Sequence, residues 1–263
     1  MATQTLARLT PAQVDAFWRD GYLALPDFLS DDDIATLRTS MDALERWAQS
    51  HEHRDFQREP NALHIERLAI RKINHIHKYG GVIWDELMRR DEVLDLMEDL
   101  IGPDIRFHHS KMMVKPPFEG SAKPWHQDLP EGFITHEEAD RLRPWGTDLQ
   151  PEQVPVVAIQ YYLDDSTLEN GCIQVVPGSH RRGLFEDPLH ESLIDQSEVV
   201  AAELKTGGAL LFHCLTYHYS APNTSPNGRR GVVYEYMAPA TGVELSYDVE
   251  ADAGWGTPLR GAN

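Results

Sequence analysis

The tetrapeptide Trp125-His126-Gln127-Asp128 is the first place where this sequence offers chemistry. On an extended chain residues i and i+2 point to one side, so His126 and Asp128 share a face and Gln127 takes the other. An imidazole and a carboxylate on one face make two legs of a metal site. A second histidine would complete a 2-His-1-carboxylate set. That set leaves coordination positions open and suits a non-haem Fe(II) that must also hold a cosubstrate and O2. Taken alone, His-x-Asp is more often an ordinary surface pair. Downstream, the run Phe212-His213-Cys214-Leu215-Thr216-Tyr217-His218-Tyr219-Ser220 offers two further imidazoles, His213 and His218. Arg229 follows eleven residues after His218, a spacing that would place it on the next antiparallel strand, returning beside the first. Its guanidinium fork can hold a carboxylate at two points. A dicarboxylate such as 2-oxoglutarate would need that hold, and the spacing favours His218 over His213 as third ligand. Ser220, two residues after His218, could add a hydroxyl donor.

The strands that must carry these residues begin after Gly102. Residues 105–115 alternate, as do segments near 156–163, 171–176, 198–204, 208–214 and 231–237. Asn170-Gly171, Pro177-Gly178, Gly207-Gly208 and Asn227-Gly228 separate them. Asn-Gly between apolar runs is a strong hairpin signal. Before Gly102 the pattern is helical. Thr10-Pro11-Ala12-Gln13 is a capping-box start. Tyr22-Leu23-Ala24-Leu25 reads as a short strand. Ser30 with Asp31, Asp32 and Asp33 starts a second helix, continued by Ile34, Leu37, Met41 and Leu44. A third runs from about Asp91 and ends at Gly102-Pro103. We expect an α+β chain with a mainly β core, a barrel or jelly roll. One domain would fill 1–263, with a mainly helical front end at 1–103, a jelly-roll core at 104–240 and a tail at 241–263. Polar stretches at 129–154 and 181–197 exceed hairpin length and are candidate lids or surface decoration.

Composition narrows the partners. The 263 residues carry 24 basic and 42 acidic side chains, for a net charge of -18. A phosphate-backbone binder needs a basic face, so no nucleic acid is expected, nor an anionic membrane surface. No apolar run is long enough to span a bilayer, and the N-terminus lacks the apolar segment of a secretory signal. Two cysteines, Cys172 and Cys214, do not make a disulfide framework, so a cytoplasmic location is expected. The partner left is a small-molecule substrate.

The motifs taken in order give a resemblance. Phe17-Trp18-Arg19-Asp20-Gly21-Tyr22-Leu23, the helix from Ser30, Lys115-Pro116-Pro117, Trp-His-Gln-Asp, Glu169-Asn170-Gly171-Cys172, Pro177-Gly178-Ser179-His180, His218-x-Ser220 and Arg229 run through most of the chain. The chain resembles the phytanoyl-CoA dioxygenase family of Fe(II)/2-oxoglutarate-dependent oxygenases. The resemblance implies a double-stranded β-helix (jelly roll, cupin-like) flanked by N-terminal helices. It implies Fe(II), 2-oxoglutarate and O2 as cofactor and cosubstrates, with His126, Asp128 and His218 as iron ligands. It puts Arg229 and Ser220 on the distal carboxylate of 2-oxoglutarate, and Lys72, Lys111 and Gln160 near the cosubstrate. The implied reaction is hydroxylation of an unactivated C–H bond in a small metabolite, with release of succinate and CO2. One departure is Gly207-Gly208 where many members carry Gly-Asp. It falls at a turn, so little chemical effect is expected.

Several residues have blander readings. His213 lies in an apolar strand and suits a core histidine. His180 sits at a turn and reads as structural. His108 and His109 share the strand of Lys111, and one of the two should face inward. His64, His75 and His77 could help close a pocket, though such residues are mostly solvated. Trp125 should pack beside the metal site, Cys172 and Cys214 should be buried and unreactive, and Glu137, Glu138 and Asp140 should form a solvated face. The same oxidant could serve desaturation, epoxidation or cyclisation, whereas Asp128 disfavours halogenation, which replaces that carboxylate. Two rivals come from other classes. A zinc hydrolase would leave Arg229 without a purpose, and a non-catalytic metabolite-binding module would not need every ligand position intact.

Overall fold

The computed structural model describes residues 8–60, 69–79, 81–128, 149–185, 188–239 and 256–261. Helix α1, Pro11–Asp20, starts with the Thr10/Gln13 capping box and ends at Gly21. Gly21 has φ +80°, and a Cβ there would meet His180 Nδ1 at 2.5 Å, so only glycine fits. Helix α2, Asp31–Gln49, is capped by Ser30 and Asp33 and buries Ile34, Leu37, Met41 and Leu44. Short helices α3, Ile76–Tyr79, and α4, Val82–Met88, precede α5, Asp91–Ile101, which ends at Gly102 with φ +88°.

The strands form two antiparallel sheets. The larger has at its centre β4, Ile105–Lys115, β6, Val156–Tyr162, β9, Ala209–His213, and β11, Arg229–Met237. Strand β1, Tyr22–Leu25, closes one edge, and β3, Ile70–Asn74, then β2, Phe56–Arg58, close the other. The order is β1-β9-β6-β11-β4-β3-β2, and β12, Pro258–Arg260, also pairs with β4. The smaller sheet is β5, Lys123–His126, β10, His218–Ser220, β7, Ile173–Val175, and β8, Val200–Ala202, in that order. Strand alternation gives each sheet two faces. On β11, Val232, Tyr234 and Tyr236 pack with Phe17, Met41, Trp84 and Met97 in the helical layer. Val233 turns inward with Ala158, Tyr162 and Phe212 to meet Ile173 and Val175 of the smaller sheet. The helices therefore cover the outer face of a jelly roll, as expected.

The structure adds strands to the expected organisation and corrects one reading of the turns. The front end, mainly helical and with the expected strand at Tyr22–Leu25, also gives β2 and β3 to the main sheet. Strand β2 is three residues long, too short to show a period, and β3 contains Arg71 and Lys72, which mask its apolar pattern. The tail contributes β12. The Asn-Gly and Gly-Gly turns do not close hairpins. Asn170-Gly171 links β6 to β7, Gly207-Gly208 links β8 to β9, and Asn227-Gly228 links β10 to β11, each time crossing from one sheet to the other. A turn residue sets local backbone direction, and which sheet receives the next strand is a tertiary matter. The described residues of 181–197 are packed down: Leu184, Leu189 and Ile194 are buried, and Leu189 N–H donates to Trp125 O at 2.8 Å. Most of the other candidate lid, 129–148, lies outside the described residues, as do Glu137, Glu138 and Asp140.

Candidate active site

His126 ends β5 and stands directly opposite His218, the first residue of β10. Their ring centroids are 3.9 Å apart. Asp128 lies just beyond β5, held by its N–H to Cys214 O at 2.9 Å. One ligating atom from each of the three lies within 4.8 Å of the others. Asp128 Oδ1 is 3.9 Å from His126 Nε2, and Oδ2 is 3.9 Å from His218 Nε2. Both histidines turn Nδ1 to backbone carbonyls. His126 Nδ1 is 2.9 Å from Pro124 O and 3.0 Å from His218 O, and His218 Nδ1 is 2.9 Å from Thr216 O. Nδ1 therefore donates, and Nε2 keeps its lone pair for a cation. Burial pushes both imidazoles below the ordinary histidine range, so the rings stay neutral. Burial, the largest influence, would raise Asp128, and Glu235 adds to it, but the Lys111 ammonium together with the neighbouring groups of the site holds the carboxyl down at about 2. Two neutral imidazoles and one carboxylate are the donor set Fe(II) needs. Gln127 faces the other way: its amide donates to Gly183 O and Leu215 O, both at 2.8 Å, and accepts from Phe185 N–H at 2.9 Å.

Arg229 opens β11 and is 4% exposed. Its Nε and Nη1 are buried without a hydrogen-bond partner. No carboxylate pairs with it among the described residues, and its titratable neighbours include Tyr162, Cys172 and Lys115. Burial pushes its pKa down. A buried guanidinium without a counter-ion is costly to keep, and it fits a carboxylate. The spacing expected Arg229 on a strand returning beside that of His218, and the structure does not pair those strands. Strand β10 pairs with β5 and β7, whereas β11 pairs with β4 and β6. Arg229 and His218 therefore stand on strands of different sheets and line one cavity between them.

A cavity of about 330 Å³ joins these groups, lined by the triad, Ser220, Arg229, Gln160, Lys72 and Lys111. All eight site residues named from sequence thus come together. Lys72 has no hydrogen-bond or ion-pair partner among the described residues, and burial, with Lys111, lowers it to about 8. Lys111 points its ammonium at protein carboxylates, 3.4 Å from Asp128 Oδ1 and 2.6 Å from Glu235 Oε1. A larger groove of about 940 Å³ contains none of the triad, and its Arg38 and Arg230 are paired with Asp164.

The other histidines sort clearly. His213 is buried away from the site, accepting at Nδ1 from Leu215 N–H and facing Pro151 O. His180 is buried against Trp18 O. His75 faces Asp55, and His77 contacts Ser110. His64 lies outside the described residues. His108 and His109 break the expected alternation. The register shifts opposite Glu235/Tyr236, His109 pairs with Glu235, and His108, the extra residue, also reaches its carboxylate at 2.9 Å. Trp125 stacks on Tyr219, and Cys172 and Cys214 are buried and free. Glu235 went unnoticed in the sequence. The signal was there, a lone carboxylate inside Val232-Val233-Tyr234-Glu235-Tyr236-Met237.

Comparison with known proteins agrees with the geometry. Residues 17–231 match the phytanoyl-CoA dioxygenase (PhyH) family. L-proline trans-4-hydroxylase of Streptomyces griseoviridis is 30% identical over 246 residues, covering 84% of this chain and 83% of that protein. The ectoine dioxygenase of Sphingopyxis alaskensis is 27% identical, covering 97% of this chain and 84% of that protein. The crystal structure of EctD from S. alaskensis with bound Fe superposes with a TM-score of 0.74 at 26% identity, covering all of this chain and 90% of that one. The same enzyme with 2-oxoglutarate and 5-hydroxyectoine gives 0.71 at 27% identity, covering 90% and 79%. A buried cation with no carboxylate partner among the described residues, beside an iron-type donor set, fits those ligands. The chain belongs to the phytanoyl-CoA dioxygenase family and is an Fe(II)- and 2-oxoglutarate-dependent dioxygenase.

Proposed function

We propose that this dioxygenase hydroxylates a small, carboxylate-bearing metabolite of the amino-acid type. The observation that carries the substrate class is the charge of the cavity wall. Arg71, Lys72, Lys111, Lys123 and Arg229 line it against one carboxylate, Asp128, on a chain whose net charge is -18. Arg229 serves one end of 2-oxoglutarate, and the remaining basic lining favours a second anionic group. A cavity of about 330 Å³ supports a small substrate over an acyl-CoA thioester. The relatives named for proline and ectoine are consistent with that size.

His126, Asp128 and His218 would hold Fe(II), which with 2-oxoglutarate and O2 supplies the oxidant for an unactivated C–H bond. The protein does the rest. Arg229, with Ser220 beside it, takes the distal carboxylate and so fixes which way the 2-oxo acid end points. Lys72 adds positive charge to the same cavity. Phe212 and Val233 wall off water from the space between the sheets. A screen for substrate-stimulated succinate release tests the reading. Free amino acids and cyclic amino-acid derivatives should stimulate it, with the product gaining one oxygen atom. Stimulation only by acyl-CoA thioesters or neutral compounds would sink the substrate class. A product lacking two hydrogens would replace hydroxylation by desaturation.

A further inference from the structure

Glu235 is a carboxylate at the centre of an apolar strand, 3% exposed. Burying such a group costs free energy unless it is fully paired. Here Oε2 is hydrogen-bonded to His108 Nδ1 at 2.9 Å, and Oε1 is ion-paired with Lys111 Nζ at 2.6 Å, without hydrogen-bond alignment. The same ammonium lies 3.4 Å from Asp128 Oδ1. The contact with His108 depends on an irregularity in β4. Strict alternation would send His108 to the face opposite His109, but the register shift at Glu235/Tyr236 brings both to one carboxylate. Bulges of this kind re-aim side chains next to active sites.

We infer that Glu235 is a positioning residue: braced by His108, it holds Lys111 against Asp128 Oδ1 and thereby fixes the rotation of the metal-binding carboxylate. Asp128 has two oxygens that could face a metal ion. The ammonium pairs with Oδ1, which also lies 3.9 Å from His126 Nε2, and leaves Oδ2, 3.9 Å from His218 Nε2, without a cation among the described residues. A carboxylate that bound through both oxygens would fill a position needed by the cosubstrate or O2. Lysine is long and flexible, and a cation on Asp128 alone could swing into the cavity. Its second anchor at Glu235 prevents that. Lys111 thus acts through Asp128, not as a direct ligand of 2-oxoglutarate. Groups that orient a metal ligand are worth about 10–100-fold in metal affinity.

The inference rests on the triad being the iron site, and the experiment separates the two. Fe(II) is titrated anaerobically into the full-length protein with saturating 2-oxoglutarate, and the visible charge-transfer band is recorded. Wild type should bind and His126→Ala should not; if wild type shows no band, the metal reading itself falls. Glu235→Gln, nearly isosteric, should weaken Fe(II) binding by about 10–100-fold and shift the band. Lys111→Met should do the same, and Lys111→Met/Glu235→Gln should be no worse than Lys111→Met alone, because the two act as one unit. A Glu235→Gln protein with wild-type affinity and band overturns the inference, as do single effects that multiply in the double variant. Lys111→Met/Glu235→Leu removes both charges together, which buried pairs tolerate. It should melt near wild type when metal-free and still bind Fe(II) poorly. Wild-type Fe(II) binding in that variant would also overturn the inference.

Discussion

Arg229→Gln gives the cosubstrate anchor its most demanding test. The guanidinium is 4% exposed, and two of its nitrogens are buried without partners. Charge-assisted hydrogen bonds to a carboxylate are worth about 1.5–3 kcal/mol each. Losing two would remove roughly 3–6 kcal/mol, which is on the order of 10²–10⁴-fold in affinity. Glutamine keeps one amide donor, so a loss of about a hundredfold, at the lower end, is expected. Stability should move the other way. The substitution removes a buried charge with no counter-ion among the described residues, so the metal-free, ligand-free protein should melt at the same temperature or higher, by about 2–4 °C for each kcal/mol recovered. The two readouts are an anaerobic 2-oxoglutarate titration of the Fe(II) protein and thermal denaturation of the apoprotein. An unchanged 2-oxoglutarate affinity refutes the anchor. A melting temperature lowered by several degrees would show that Arg229 holds the fold instead.

Other outcomes follow from single contacts. His218→Ala should abolish iron retention measured by metal analysis, whereas His213→Ala should keep the iron and lose about 2–4 kcal/mol of stability from a buried cavity; iron lost only with His213 would reverse the assignment. Lys72, at about 8 through burial and Lys111, with Lys123 adding and Asp128 and Glu235 opposing, should make 2-oxoglutarate binding fall above pH 8 by up to about tenfold per unit. Lys72→Met should bind more weakly at neutral pH and lack the bend. The stability sign is opposite: because its folded pKa lies below the ordinary 10.5, the unfolded chain binds more protons between these values, and the apoprotein gains stability as pH rises through that window. Gln127→Leu should lower stability by about 2–4 kcal/mol, since Gly183 O, Leu215 O and Phe185 N–H lose their buried partner; an unchanged denaturation midpoint would show that these groups find other partners.

The sequence by itself determined what local rules determine. Thr10 and Gln13, and Ser30 and Asp33, place helix starts because capping is a matter of neighbouring residues. Alternation placed β4, β6, β9 and β11 within a residue or two. The i, i+2 rule put His126 and Asp128 on one face and turned Gln127 away, and the order of motifs named the ligands. The tertiary structure decided everything that depends on which strand receives which partner. Asn227-Gly228 marks a turn in either case, but only the packed sheets send β11 across to β4 and β6, so that Arg229 and His218 line one cavity from different sheets. The bulge at His108 is a mismatch between two distant strands, and no window of sequence contains it. Glu235 was visible as a misplaced carboxylate, and its purpose was not, because His108, Lys111 and Asp128 reach it only when β4, β11 and the end of β5 converge.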